Sequence, residues 1–155
     1  MLKIQNRVST RKLKREKSKH NTIHMDTYNT GAGAQQVSLA VDIDTIGLAA
    51  SRAIVVDVIA GTGVSVAHSV DATGDIALVV IGSAGSLQGK RLTIFTRIDL
   101  LGPDINERKK EFNRLSGSYS LSGGLGGNQN YKSVDKSAID SSYVTIILNE
   151  SIDLI

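Results

Sequence analysis

The chain has 155 residues, 41% of them hydrophobic, with 18 Lys and Arg against 15 Asp and Glu, and it contains neither cysteine nor tryptophan. That length suits one domain with a core of its own. The lack of cysteine excludes disulfides, thiolate zinc sites and cysteine nucleophiles, and no apolar run approaches the ~20 residues of a membrane-spanning helix, so no membrane insertion is expected.

The first 24 residues hold eight Lys and Arg and a single acid, Glu16, a net of +7; with the whole chain at +3, residues 25–155 carry −4. Within "RVSTRKLKREKSKH" the cations are Arg7, Arg11, Lys12, Lys14, Arg15, Lys17 and Lys19. Such asymmetry marks residues 1–24 as a basic arm seeking a polyanion or an acidic protein surface, against the plainer reading of a solvated tail. No aromatic residue precedes Tyr28, so contact with nucleic acid would be through phosphates, independent of sequence, and not by base stacking. Leu2, Ile4, Val8 and Leu13 are too sparse for an amphipathic membrane helix. They suit apolar anchors for an arm that crosses a neighbouring subunit, and the opposite signs of arm and body favour that docking. The segment has no apolar stretch like that of a secretory signal, and Lys and Glu16 set it apart from an Arg-rich mitochondrial presequence. Residues 25–35 read as a linker.

From residue 36 to 155 the hydrophobic period is two. "QVSLAVDID" alternates Val37, Leu39, Val41 and Ile43 with polar positions, which predicts a strand with one wet face. "AIVVDVIA" (53–60) is more continuously apolar and suits a strand covered on both sides. Val64, Val66, His68 and Val70 alternate again, and with Ile76–Ile81 they form a predicted hairpin around "DATGD". In "KRLTIFTRIDLL", Leu92, Ile94, Thr96, Ile98 and Leu100 share a face. "PDINERKKEFNR" predicts a helix of one or two turns, with Pro103 near its start and Asp104 in its first turn. Residues 116–142 are polar and glycine-rich; Ser116–Ser122 can still form a strand, and "GGLGG" (123–127) marks a flexible tip or a close approach of two backbones. "SYVTIILNESIDLI" gives a final strand with room for a second. Val, Ile and Thr dominate throughout, as strands prefer. The predicted fold is all-β: an antiparallel sandwich of seven to nine strands, jelly-roll-like or immunoglobulin-like, preceded by the arm.

Chemistry is sparse. "GSLQGKR" departs from the phosphate-loop pattern at both ends and leads into a strand, so it reads as a hairpin loop with two outward cations. His20 and His24 lie four apart with Asp26 nearby, yet on an arm without a scaffold. His68 reads as a core or interface histidine with one hydrogen bond, and Asp71 and Asp75 as turn formers in preference to calcium ligands. A conceivable triad would join Ser65 or Ser69 with His68 and Asp57 or Asp99, without a nucleophile elbow around any serine. Asp42 and Asp44 share a solvated strand face. No catalytic residue, metal or cofactor is assigned, and a non-enzyme is expected.

The plan of basic arm, Gly-containing linker and small β-domain resembles virus and phage structural subunits. "AGTGVSVAHSVDATGDIALVV" is similar to the short Gly-Thr-Gly strand repeats of phage tail and fibre proteins. This resemblance implies a self-assembling virion component (capsid, head-associated or tail), assembled in a host cytoplasm. Its partners would be copies of itself and other assembly proteins, with packaged nucleic acid as the arm's other partner. The alternatives are a sequence-independent nucleic-acid-binding protein and a surface adhesion module.

Overall fold

A computed structural model describes residues 25–133 and 135–155. In chain order the elements are β1 (Asp26–Tyr28), β2 (Gln36–Asp44), β3 (Leu48–Asp57), β4 (Thr62–His68), β5 (Ile76–Ser83), α1 (Ala84–Leu87), β6 (Arg91–Asp99), α2 (Ile105–Arg114), β7 (Ser116–Ser122), β8 (Gln129–Lys132), β9 (Asp135–Ala138) and β10 (Thr145–Leu154). They form two packed sheets. One runs β1–β10–β6–β3–β4, with β9 also on β10; the other runs β5–β2–β7–β8. The fold is all-β and sandwich-like, and among the described strands β1 alone pairs in parallel, with β10.

Alternation decides which face is buried. Val37, Leu39, Val41 and Ile43 of β2 point into the core, while Asp42 and Asp44 are exposed. Leu92, Ile94, Thr96, Ile98 and Leu100 are all buried, and Thr96 shares a 2.7 Å hydrogen bond with Ser51 that satisfies both hydroxyls. These side chains meet Tyr119 and Leu121 of β7 and the inward residues of β10 in one apolar cluster.

β3 is not covered on both sides. Ala53 and Val55 are buried, whereas Ile54 and Val56 are half-buried and the strand stops at Asp57. The Asp57 carboxylate accepts from the amides of Ile59 and Ala60, which turns the chain and leaves Val58 and Ile59 exposed. A tight turn of this kind is the ordinary use of an Asp side chain.

The predicted β4–β5 hairpin does not form. β4 pairs with β3 and β5 pairs with β2, so "DATGD" carries the chain from one sheet to the other. That segment is pinned across the sandwich: Ala49 donates to the Ala72 carbonyl, and Ile43 N donates to Asp75 Oδ1. Gly74 sits at φ +82°, where a Cβ would lie 2.7 Å from that of Ala49, so glycine is required twice over. "GSAGSLQG" is likewise a crossover and no hairpin loop. α1 buries Ala84 and Leu87 there, and Arg91 pairs with Asp153 at 2.7 Å instead of pointing freely outward.

α2 has ten residues, longer than two turns, and Asp104 is its N-cap, accepting from the amides of Asn106 and Glu107. Its far end is held by Lys136, whose Nζ donates to the carbonyls of Phe112 and Leu115. A cation at a helix C-terminus satisfies orphan carbonyls and suits the dipole. Phe112 packs edge-to-face on Tyr143 at 5.2 Å.

Residues 25–35 are more than a linker, because they contain β1 and three buried residues, Tyr28, Thr30 and Gly31. The glycine-rich segment is largely ordered strand, β7 to β9. Its "GGLGG" turn approaches β1 closely: a Cβ on Gly124 would stand 2.8 Å from the Asn29 carbonyl and 2.9 Å from the Tyr28 ring. The Tyr28 hydroxyl donates to the Gly127 carbonyl and accepts from Gly124 N. Only glycine lets that ring seat so deeply.

The two long edges of the sandwich differ. On one, β8 pairs with β7 in one sheet and the chain passes directly into β9, which pairs with β10 in the other, lacing the layers together. On the opposite edge, among the described residues, β4 and β5 each have a single strand partner and do not pair with each other, and clefts open along the seam between them.

Candidate functional site

The expected contact residues of the arm, Arg7, Arg11, Lys12, Lys14, Arg15, Lys17 and Lys19, with the anchors Leu2, Ile4, Val8 and Leu13, lie outside the described residues, as do His20 and His24. What the fold does place is the ground on which the arm is rooted. The chain enters the sandwich at β1, where Asp26 stands beside Ile152 of β10; further along the same edge of β10, Asp135 of β9 stands beside Asn149. Between these two registers comes Glu150, whose side chain follows Ile146 and Leu148 into the interior and is 5% exposed.

Glu150 is absent from the candidates that the sequence singles out, although the period of two signals it: Ile146, Leu148, Glu150, Ile152 and Leu154 occupy one face. Its Oε2 has no hydrogen-bond partner among the described residues, and neither has the Tyr119 hydroxyl. Burial, then the nearby Asp26 carboxylate, then that of Asp135 push the Glu150 carboxyl up to about 7. Burial likewise pushes the Tyr119 hydroxyl up to about 12. Tyr131 donates to the Thr27 carbonyl and ties β8 to β1 at this place. Three carboxylates therefore surround the point where the +7 segment joins the domain.

The other residues singled out for chemistry are dispersed. His68 is exposed at the end of β4, opposite Arg52, and is not a core residue. A register shift between Ala53 and Ile54 gives β4 an extra residue, so Ala67 takes the buried position in its place. Asp57 lies five register positions from Arg52, about 17 Å away along the strand. The Ser69 hydroxyl accepts from Ser51 N. Asp99 accepts from the Thr145 hydroxyl and pairs with Arg97. The Ser, His and Asp positions of the conceivable triad are thus not brought together. Asp71 accepts from Thr73 N and Oγ1, and these bonds hold its carboxyl below the usual range. Asp71 is thus a turn former, whereas the Asp75 carboxylate reaches across the sandwich to Ile43 N. Among the described residues no group of three or more His, Asp or Glu is placed to hold a metal ion, and no helix is long and apolar enough to cross a membrane.

The outer face of the β10–β6–β3–β4 sheet carries one exposed aromatic, Phe95, between Arg52 and Asn149 by register. A shallow depression on one side of it is lined by Arg52, Ile54, His68 and Thr93, and one on the other side by Lys136, Ile147 and Asn149. No protein-family model matches the chain, no curated protein matches it, and no solved structure matches it. Function rests on charge, burial and topology alone.

Proposed function

We propose that this protein is a non-enzymatic structural subunit of a larger assembly, whose basic arm docks on neighbouring copies. The observation that carries this reading is the division of charge: +7 in residues 1–24 against −4 in the rest. Attraction between arm and body links one copy to the next without any other component, and long-range steering speeds such encounters. Copies of itself and other assembly proteins are the partners, and a viral or phage particle is the setting that this plan fits best.

The immunoglobulin-like form of the sandwich is the finer reading of the fold. In it β10, β6, β3 and β4 take the places of strands G, F, C and C′, and β5 and β2 those of E and B. α2 and β7–β9 are then an insertion before the last strand, with β7 beside β2 where a first strand would lie.

Reassembly of nuclease-treated protein tests the arm's role. Leu13→Ser changes no charge, so a purely phosphate-binding arm would tolerate it. Neighbour docking expects impaired reassembly of Leu13→Ser protein while nuclease-treated wild type assembles. Normal assembly by the variant, with failure of wild type lacking nucleic acid, would transfer the arm to a nucleic-acid partner.

A further inference from the structure

We infer that the open seam between β4 and β5 is the receptor for residues 2–8 of a neighbouring copy, which add a strand beside β4. This inference rests on the assembly reading and names its contact surface. β4 and β5 are edge strands without an acidic residue, lysine, arginine or proline between Thr62 and His68 or between Ile76 and Ser83. Natural edges are usually blunted by charge, proline or a cover, and a bare apolar edge invites pairing with another chain. Val64 is 66% exposed and Leu78 68%, while the seam opens into clefts of about 280 Å³ and 420 Å³ that share Val66. These are large aliphatic side chains on a surface that water alone would leave unfavourable.

The occupant is chosen by pattern, length and sign. In "MLKIQNRV" the even positions Leu2, Ile4 and Val8 share one face of an extended strand, and Lys3 and Arg7 share the other. Seven residues span about 23 Å, as does the seven-residue β4. Asp57 lines one cleft and Asp75 the other, against the single cation Lys90, so the seam suits a basic strand. The geometry of β1 points to a second copy. The arm joins the sandwich at the laced edge, and β4 lies at the far edge of the same sheet. Upstream of Asp26 the next part of the β10 edge is taken by β9, so that edge offers the arm no further strand partner in its own copy.

Complementation between two full-length variants tests the inference. One has Leu2, Ile4, Val8 and Leu13 replaced by Ser and keeps its seam; the other carries Val64→Lys and Leu78→Lys and keeps its arm. Val64→Ser with Leu78→Ser replaces the latter if the lysines disturb the circular dichroism spectrum. Each variant alone should sediment as a 16.5 kDa monomer, whereas an equimolar mixture should yield a one-to-one complex. An associating wild type together with a seam variant that still associates would overturn the inference and leave the assembly reading intact. The inference fails equally if wild type associates, each variant is monomeric, and the mixture remains monomeric. A wild type that stays monomeric at every concentration would instead sink the assembly reading itself.

Discussion

Tyr28→Ala is expected to destabilise the domain by about 3–5 kcal/mol, the range for removing a fully buried aromatic ring. Tyr28 is 1% exposed, its ring contacts the glycine-rich turn, and its hydroxyl bonds both Gly124 and Gly127. Truncation leaves a cavity and removes the partner of two backbone groups. Tyr28→Phe keeps the ring and loses only the hydroxyl, and it should cost roughly 1 kcal/mol. Urea unfolding of both variants separates ring from hydroxyl. A Tyr28→Ala protein as stable as wild type would return residues 25–35 to the role of a linker.

Stability should also fall as pH rises through the range set by Glu150. Its carboxyl is raised from an ordinary 4.5 to about 7 by burial and by the Asp26 and Asp135 charges. Between those values the folded protein holds a proton that the unfolded chain releases. The contribution is therefore fully present below 4.5, is lost between 4.5 and 7, and stays lost above. Its size is on the order of 3 kcal/mol, from the rise of 4.5 to about 7. Glu150→Gln should flatten that part of the profile, matching wild type near pH 4.5 and exceeding it near pH 8. A variant that keeps the full wild-type slope would assign the titration to other groups. Once ionised, Glu150 is also a third negative charge beside Asp26 and Asp135 at the arm's root.

Much of the fold is legible because the sandwich reads its strands in a period of two. β2 and β6 place Val37 to Ile43 and Leu92 to Ile98 inward as that period requires. Partner choice is less legible. "DATGD" has turn chemistry that serves a hairpin and a sheet-to-sheet crossover equally, and only the contacts of Gly74 with Ala49 and of Asp75 with Ile43 decide between them. β1 is three residues long, too short to show any period, so its burial of Tyr28 is invisible in the sequence. Of the core and interface positions open to His68 in the sequence, the core one is lost because one extra residue in β4 reverses every later side chain. Glu150 lies within reach of the pattern, but in sequence it looks like a polar break near the end of an apolar run. The arm's charge is written plainly in composition. The seam that suits it is not, because openness belongs to β4 and β5 jointly and each strand alone looks ordinary.

The most direct measurement is the native mass of intact, nuclease-treated wild type over a range of concentrations at low and moderate salt. Assembly through the arm expects multiples of 16.5 kDa that grow with concentration and shrink as salt screens the arm. A single 16.5 kDa species under all of these conditions contradicts it.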